Sequence, residues 1–509
     1  MRLTSLIWLS ILAISSAPAW AVPGEGGGSR RVIQPELALV QATSRRFTDP
    51  FKRIHAVIRV AEGVAVGPLL ADLEARGVGT YLGSRDVLQV GSWLPVKIPV
   101  ALASTLAEDP RVVAISAQMA GPQPFYEDAA PEMIVAPRWA RPRHPDGRPV
   151  TGQKIAVGVI DGDLDVLHPA FFYADAGLWS WVDVDEDGGF TPGVDGVVLE
   201  DGTLSSLHVL QSRLFLDPRS PSPIEPAGSG DFQVDVDYLY LDLNGNGKRD
   251  VGRAAGFDEA SPGYGEPIFV IDDVDADGVL EPGEKLVQLG TSKLRVYYKV
   301  DEGVAYWRGI DLIDVPRPVE HSHGTMTVGI LAGGNTLGQR FQGVAPGIEI
   351  VYVDRKAFQQ TQSETDPIGA AMAFLAQEQV DVMMHEYGWP VGQFNDGSSE
   401  HELMIDALSA EGIVQLTAAH NFAAHPMHGV ATASGGEKVD FPIRIDLGHG
   451  SPTMLYLMLR WRGDVDPVAF EFLHADGSFH TFDATSEEIQ EGDLMIQWSG
   501  VQVSERGTK

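Results

Sequence analysis

Between Lys154 and Ala418, short apolar runs alternate with stretches of helical length, and several runs end on a polar residue. The runs are Lys154–Ile160, Ile348–Val353, Val380–Met384 and Ile413–Ala418; the helical stretches are one opening at Gly324, then Asp366–Gln379 and Glu400–Ala410. Near-continuous apolar runs are what strands need when helices cover both faces of a parallel sheet. The order predicts a doubly wound α/β domain. Ligands of such sheets bind beyond the carboxyl ends of the strands, and that is where Asp161, Glu386 and Asn421 fall.

The helix opening at Gly324 is itself distinctive. A polar cluster, His321-Ser322-His323, runs into Gly324, Thr325, Gly329 and Ala332, small residues that let a helix lie close against a sheet. His323 is left at its N-terminal end. A carboxylate at the end of Lys154–Ile160 could orient that imidazole and stabilise its charged form, so Asp161 and His323 are candidates for an acid–base pair. The amide of Asn421, at another strand end, could donate to an oxyanion.

Charge bounds the partners. The 509 residues carry 37 Lys+Arg against 70 Asp+Glu, a formal net charge of -33, which repels nucleic acid and attracts cations. There is no cysteine, so no disulfide holds any part together and stability must come from apolar cores, with bound metal as a further source open to it. Residues 1–21 read as an export signal: Arg2, an apolar run Leu6–Ile14 too short to span a bilayer, and a small-x-small site at Ala19-Trp20-Ala21. The expectation is a secreted chain that engages no membrane after signal removal.

Residues 22–50 read as a flexible segment. Residues 51–120 follow a βαββαβ order, the small ferredoxin-like α+β unit. Its place between an export signal and a larger domain suggests a pro-segment. Residues 121–152, rich in Pro and Arg, read as a linker. Residues 153–435 form the α/β domain, interrupted at about 172–317 by a long acidic insertion with few helical signals. Residues 436–509 read as an antiparallel β module, with a hairpin turn at Asp476-Gly477.

Four stretches, in order, resemble the subtilisin-like serine peptidases. Ile155–Phe171 (IAVGVIDGDLDVLHPAF) is similar to the family's aspartate segment, and His323–Gly333 (HGTMTVGILAG) to its histidine segment. Gly343-Val344-Ala345-Pro346 is similar to the motif that follows, and Gly412–Asn421 (GIVQLTAAHN) to the strand reaching its oxyanion asparagine. The resemblance implies a subtilisin-like fold and a serine endopeptidase precursor acting on polypeptides. It casts Asp161 and His323 as triad members, Asn421 as oxyanion donor, and residues 51–120 as an intramolecular inhibitor.

The pattern also departs from the family. The usual Asp-Thr/Ser-Gly is Asp161-Gly162-Asp163, and a wall segment ending Ser-x-Gly is Glu386-Tyr387-Gly388. No Gly-Thr-Ser-x-Ala-x-Pro follows Asn421. Gly290-Thr291-Ser292 precedes His323, and nothing around Ser434 matches. The nucleophile is therefore unassigned. One expectation is a chain cut before its serine; the other is a nucleophile-less pseudopeptidase or calcium-dependent binding protein.

The insertion has chemistry of its own. Asp273–Glu284 fits a twelve-residue calcium loop: Asp273, Asp275, Asp277, Glu281 and Glu284 at positions 1, 3, 5, 9 and 12, glycine at 6 and the Val279 carbonyl at 7. A second stretch, with Asp242, Asn244, Asn246 and Asp250, is similar but lacks a clear twelfth ligand. A third, Asp183–Gly188, is weaker because Val194 occupies position 12. Structural calcium is the expected cofactor.

Overall fold

The computed structural model describes residues 53–119, 143–210, 237–275, 277–318, 323–335, 342–355, 365–387 and 394–418. It also describes segments 5–13, 32–33, 438–445, 468–473, 478–482, 487–491 and 494–498 and a few further positions.

The first unit comprises β1 (Arg53–Val60), α1 (Val66–Ala75), β2 (Gly79–Thr80), β3 (Trp93–Pro99), α2 (Ala103–Ala107) and β4 (Val112–Ser116). Its sheet runs β4-β1-β3-β2, with Val32–Ile33 parallel to β4 at the edge. Period-two alternation gives the sheet two different faces. Ile54, Ala56, Ile58, Leu94, Val96 and Ile98 share a core with Leu69 and Leu73 of α1 and Leu106 of α2. The intervening residues face the rest of the chain.

The central sheet is built from β5 (Ala156–Asp161), β12 (Leu294–Lys299), β13 (Val304–Trp307), β14 (Glu349–Asp354), β15 (Val382–His385) and β16 (Val414–Thr417). Its order is β13-β12-β14-β5-β15-β16, parallel except for the edge strand β13. Helix α3 (His323–Ala332) packs on one face; α4 (Ile368–Gln377) and α5 (Glu400–Ala410) pack on the other. All six residues of β5 are buried, as a strand covered on both sides must be. Val157 and Val159 meet the α3 side, and Ile160 meets α4. At Gly158 a Cβ would fall 2.7 Å from Leu375 of α4, so the missing side chain allows that close approach. A capping box starts α5: the Ser399 hydroxyl accepts from the Glu402 amide, and the Glu402 carboxylate accepts from the Ser399 amide.

The acidic insertion is antiparallel: β6 (Leu178–Ser180), β7 (Gly196–Val198), β8 (Leu204–Leu210), β9 (Tyr238–Leu241), β10 (Ile268–Asp272) and β11 (Lys285–Gln288), in the order β7-β8-β9-β10-β11-β6. Tyr238, Tyr240, Ile268 and Val270 join the core beside α3, while Leu239, Leu241, Phe269 and Ile271 form a core with Trp181. Within the expected span of about 172–317, Leu294–Lys299 pairs with β14 of the central sheet, where Leu294 and Tyr297 join the core on one face and Val296 and Tyr298 the core on the other.

Strand Ser5–Ala13 pairs antiparallel with Lys438–Ile445 and with Val468–Leu473, which pairs with Phe479–Phe482; Glu487–Glu491 pairs with Leu494–Trp498. Asp476-Gly477 lies outside the described residues. Among the described residues no helix is long and apolar enough to cross a membrane.

Candidate active site

Asp161 ends β5 and is 2% exposed. Three donors surround its carboxylate. The Gly162 amide donates to Oδ1 at 2.6 Å, and the Thr327 hydroxyl donates to Oδ2 at 2.6 Å. Nδ1 of His323 lies 2.7 Å from Oδ1 and 2.9 Å from Oδ2. His323 and Thr327 are four apart on α3, so both reach one carboxylate from the same helical face.

The first turn of α3 is held tightly against the strand ends. The Asp165 amide donates to the Thr325 hydroxyl at 2.9 Å, and the Tyr352 hydroxyl donates to the Gly162 carbonyl at 2.5 Å. A Cβ at Gly324 would fall 2.6 Å from the Asp163 carbonyl, so only glycine fits where the helix meets this loop. At the far end of α3, the buried Lys293 ammonium donates to the carbonyls of Ala332, at 2.7 Å, and Gly334.

Burial opposes charge on His323, but the hydrogen bond and charge of Asp161, with the charge of Glu386, outweigh it. Its pKa lies above the ordinary 6.5. Glu386 follows β15, and its amide donates to the Ile160 carbonyl at 3.2 Å, which sets it beside Asp161. Burial and the nearby Asp161 raise its carboxyl to about 7. Arg355, whose amide donates to the Asp161 carbonyl at 2.8 Å, lies over the Tyr387 ring. Histidine and two carboxyls thus converge at the carboxyl edge of a parallel sheet, an arrangement suited to moving a proton.

Asp161 and His323 are brought together. Asn421 and Ser434 lie outside the described residues. Ser292 is at the opposite, amino end of β12, so it stands about 20 Å from the dyad by strand rise. Thr327 was missed by the sequence reading, although its four-residue spacing from His323 marks it.

The acidic loops divide differently from expectation. Carboxylates of Asp273, Asp275 and Asp277 gather with oxygens within 4.8 Å of one another, and so do Asp183, Asp185 and Asp195. In each group the first aspartate, Asp273 or Asp183, has a buried Oδ1 with no hydrogen-bond partner. Glu284 turns back on its own loop, accepting from Val274 and Glu281 amides at 2.7 and 3.1 Å. It does not join the gathered carboxylates. Val279 and Glu281 are exposed beside them. The Asp242 loop is satisfied internally. Asp242 accepts from the Gly245, Asn246 and Gly247 amides, and Asp250 from the side-chain amides of Asn244 and Asn246. In the third loop the carboxylate that gathers with Asp183 and Asp185 is that of Asp195, one residue past the twelfth position.

Residues 152–445, more than half of the chain, match the family model Peptidase_S8, the subtilase family of peptidases. The chain belongs to the subtilase family. The α/β domain with its parallel sheet is that family's peptidase domain, and its family-level chemistry is serine-type hydrolysis. Among solved structures, the Clostridium perfringens CspB protease is similar at 15% identity and a TM-score of 0.27. That match covers 53% of this subtilase chain and 37% of the clostridial protein's length. No curated protein matches the sequence.

Proposed function

We propose that this subtilase is an exported precursor of a serine endopeptidase acting on polypeptides, with Asp161 and His323 as its acid–base pair. The observation that carries the reading is the 2.7 Å contact of His323 Nδ1 with the Asp161 carboxylate at the carboxyl edge of the sheet. With Nδ1 held there, the imidazole takes a proton through Nε2, and the carboxylate stabilises the resulting imidazolium. Asn421 is proposed as an oxyanion donor on the sequence resemblance alone.

The ferredoxin-like unit, residues 51–120, is proposed as an intramolecular inhibitor. Support comes from where it ends: Gln118–Met119 pairs antiparallel with Thr365–Asp366, the segment that leads into α4. The unit also shares an apolar core with the central sheet through Val57, Tyr81, Leu88 and Val90. Each such side chain contributes roughly 1.5–3 kcal/mol when fully buried.

Calcium is proposed as a structural ion at Asp273, Asp275 and Asp277, with the Val279 carbonyl and Glu281 available at the rim. The buried Oδ1 of Asp273, which has no hydrogen-bond partner, is an oxygen that a hard cation would satisfy. The same feature extends the proposal to Asp183, Asp185 and Asp195. The ion would order loops that have little regular structure.

A second reading is an inactive pseudopeptidase or calcium-dependent binding protein, favoured by one observation: the gathered carboxylates of Asp273, Asp275 and Asp277. A fluorophosphonate probe applied to the protein as cells make it separates the two. Labelling that His323→Ala abolishes supports the peptidase and locates its serine. Peptide binding without labelling or turnover would replace it with the binding protein.

A further inference from the structure

The face of the N-terminal sheet that meets α4 and α5 is unlike its aliphatic other face. On it lie His55, Val57 and Arg59 of β1 and Trp93, Pro95 and Lys97 of β3, alternate residues of two paired strands. Val57 packs against Gly369 at the start of α4, where a Cβ would collide with it. The polar residues of this face are engaged across the joint. His55 Nε2 lies 3.2 Å from the Asp301 carboxylate, while its Nδ1 meets the Tyr81 hydroxyl. The Lys97 ammonium donates to the Asp301 carbonyl at 2.8 Å. Glu400, 1% exposed, accepts from the Trp93 indole at 2.7 Å and lies 3.2 Å from the Arg59 guanidinium. Nearby, the Ser84 hydroxyl donates to Glu378 at 2.6 Å.

His401 differs from these groups. It is the second residue of α5, 5% exposed, and its Nδ1 is buried with no hydrogen-bond partner. It walls a small cavity at the joint, with Pro367 and Gly369 on its own side and His55, Tyr81 and Pro95 opposite. A neutral imidazole fits that place. A charged one would carry an N–H at the buried Nδ1, which has no hydrogen-bond partner, and such a charge is costly.

We propose that His401 is an acid-operated release for the N-terminal unit: neutral, it closes the joint between β1, β3 and α5; protonated, it forces the joint open. This regulation rests on the reading of residues 51–120 as an inhibitor only for its consequence, since the docking contacts themselves are in the fold.

The titration agrees in sign. Burial alone pushes the His401 pKa down from 6.5 to about 4. A group whose pKa is depressed in the docked state favours docking when deprotonated. Docking is therefore at full strength above 6.5 and weakens as the pH falls towards 4, by up to about tenfold per pH unit. Two charged neighbours share the joint: the Asp301 carboxylate faces His55, and the Glu400 carboxylate faces Trp93 and Arg59.

The test is hydrogen exchange on the full chain from about pH 7.5 to about pH 4, comparing wild type with His401→Gln, which does not titrate there. The amides of β1 and α5 report the joint, and those of β14 report global unfolding. The expected result is a wild-type joint that opens on acidification while β14 stays protected. In His401→Gln the opening midpoint should lie lower by about one pH unit. Equal midpoints, or a wild-type joint that stays closed throughout, overturn the proposal. If His401→Gln fails to dock at neutral pH, His401→Leu provides the same comparison. Binding of a peptide mixture from digested casein to the same samples keeps the two ideas apart. An opened joint with unchanged peptide binding sinks the inhibitor reading and leaves the release standing. A joint that never opens sinks the release alone.

Discussion

The Thr327 hydroxyl stands 2.6 Å from Oδ2 of Asp161, one helical turn beyond the imidazole that holds the same carboxylate. A buried carboxylate needs its donors, and a lost donor costs about 1–3 kcal/mol. Thr327→Val keeps the shape and removes the hydroxyl. The expected outcome is destabilisation of that size, read as a lower midpoint of chemical denaturation. An unchanged midpoint would mean that Gly162 and His323 alone suffice.

Asp161 sets the basicity of His323. In Asp161→Asn the anionic partner is gone, and burial, which opposes the charged imidazole, is left as the leading influence. The His323 pKa is expected to fall, measured by NMR titration of its ring. The sign carries over to stability. In the wild type the folded value is raised, so this contribution is fully present below 6.5 and is lost as the pH rises through the folded value. Asp161→Asn should remove that dependence. A ring titration unmoved by the substitution would break the pairing.

Much of this architecture could be read from residue pattern. The Asp161–His323 pair was legible because a buried strand and a small-residue helix each deliver one polar group at a terminus. The β12 strand was not, because Leu294–Lys299 sits at the end of an acidic stretch whose composition hides it. Asp195 gathers with Asp183 and Asp185 from one residue past the twelfth position, which a fixed twelve-residue spacing does not anticipate. The docking face of the N-terminal unit was hidden for a different reason. In sequence His55, Arg59 and Lys97 are only polar positions within strands, and only the fold supplies Asp301 and Glu400 opposite them. Asn421 lies outside the described residues, so the strand end proposed for it has only its sequence context.

The acidic loops predict a divided response to calcium. A ligand at about 100 times its Kd adds about 2.7 kcal/mol to folding stability. Calcium should raise the thermal midpoint of the wild type over that in chelator. Asp273→Asn should reduce the shift, whereas Asp242→Asn should not, because the Asp242 carboxylate already receives three backbone amides. Equal losses of response in the two variants would remove the distinction, and no calcium response in the wild type would remove the ion.

Gly324 marks the closest approach of α3 to the strand ends. A methyl there meets both the Tyr352 hydroxyl and the Asp163 carbonyl, and the backbone carbonyl cannot swing aside. Gly324→Ala should therefore displace the first turn and with it His323. Overpacking of this kind costs typically about 1–3 kcal/mol. The measurable sign is a weakened His323–Asp161 coupling in the ring titration together with a lowered denaturation midpoint. A variant with both unchanged would show that the helix start has slack.

Lys293 anchors the other end of the same helix. It is 0% exposed, its ammonium donates to the Ala332 and Gly334 carbonyls, and burial alone pulls its pKa from 10.5 to about 7. A cation at the last carbonyls suits the helix dipole. The charge is nevertheless held away from water without a carboxylate partner among the described residues. Because the folded value is depressed, the unfolded chain binds the extra proton between pH 7 and 10.5, so folding stability rises with pH across that window. The slope is at most about 1.4 kcal/mol per pH unit. Lys293→Met removes the titrating group, though it leaves two carbonyls without their donor. The difference in unfolding free energy between wild type and variant should therefore grow in favour of the wild type from about pH 7 to about pH 10.5, and stay level below. Denaturant titrations at stepped pH measure it. A difference that does not change with pH would mean that the ammonium keeps its ordinary affinity for the proton despite its burial.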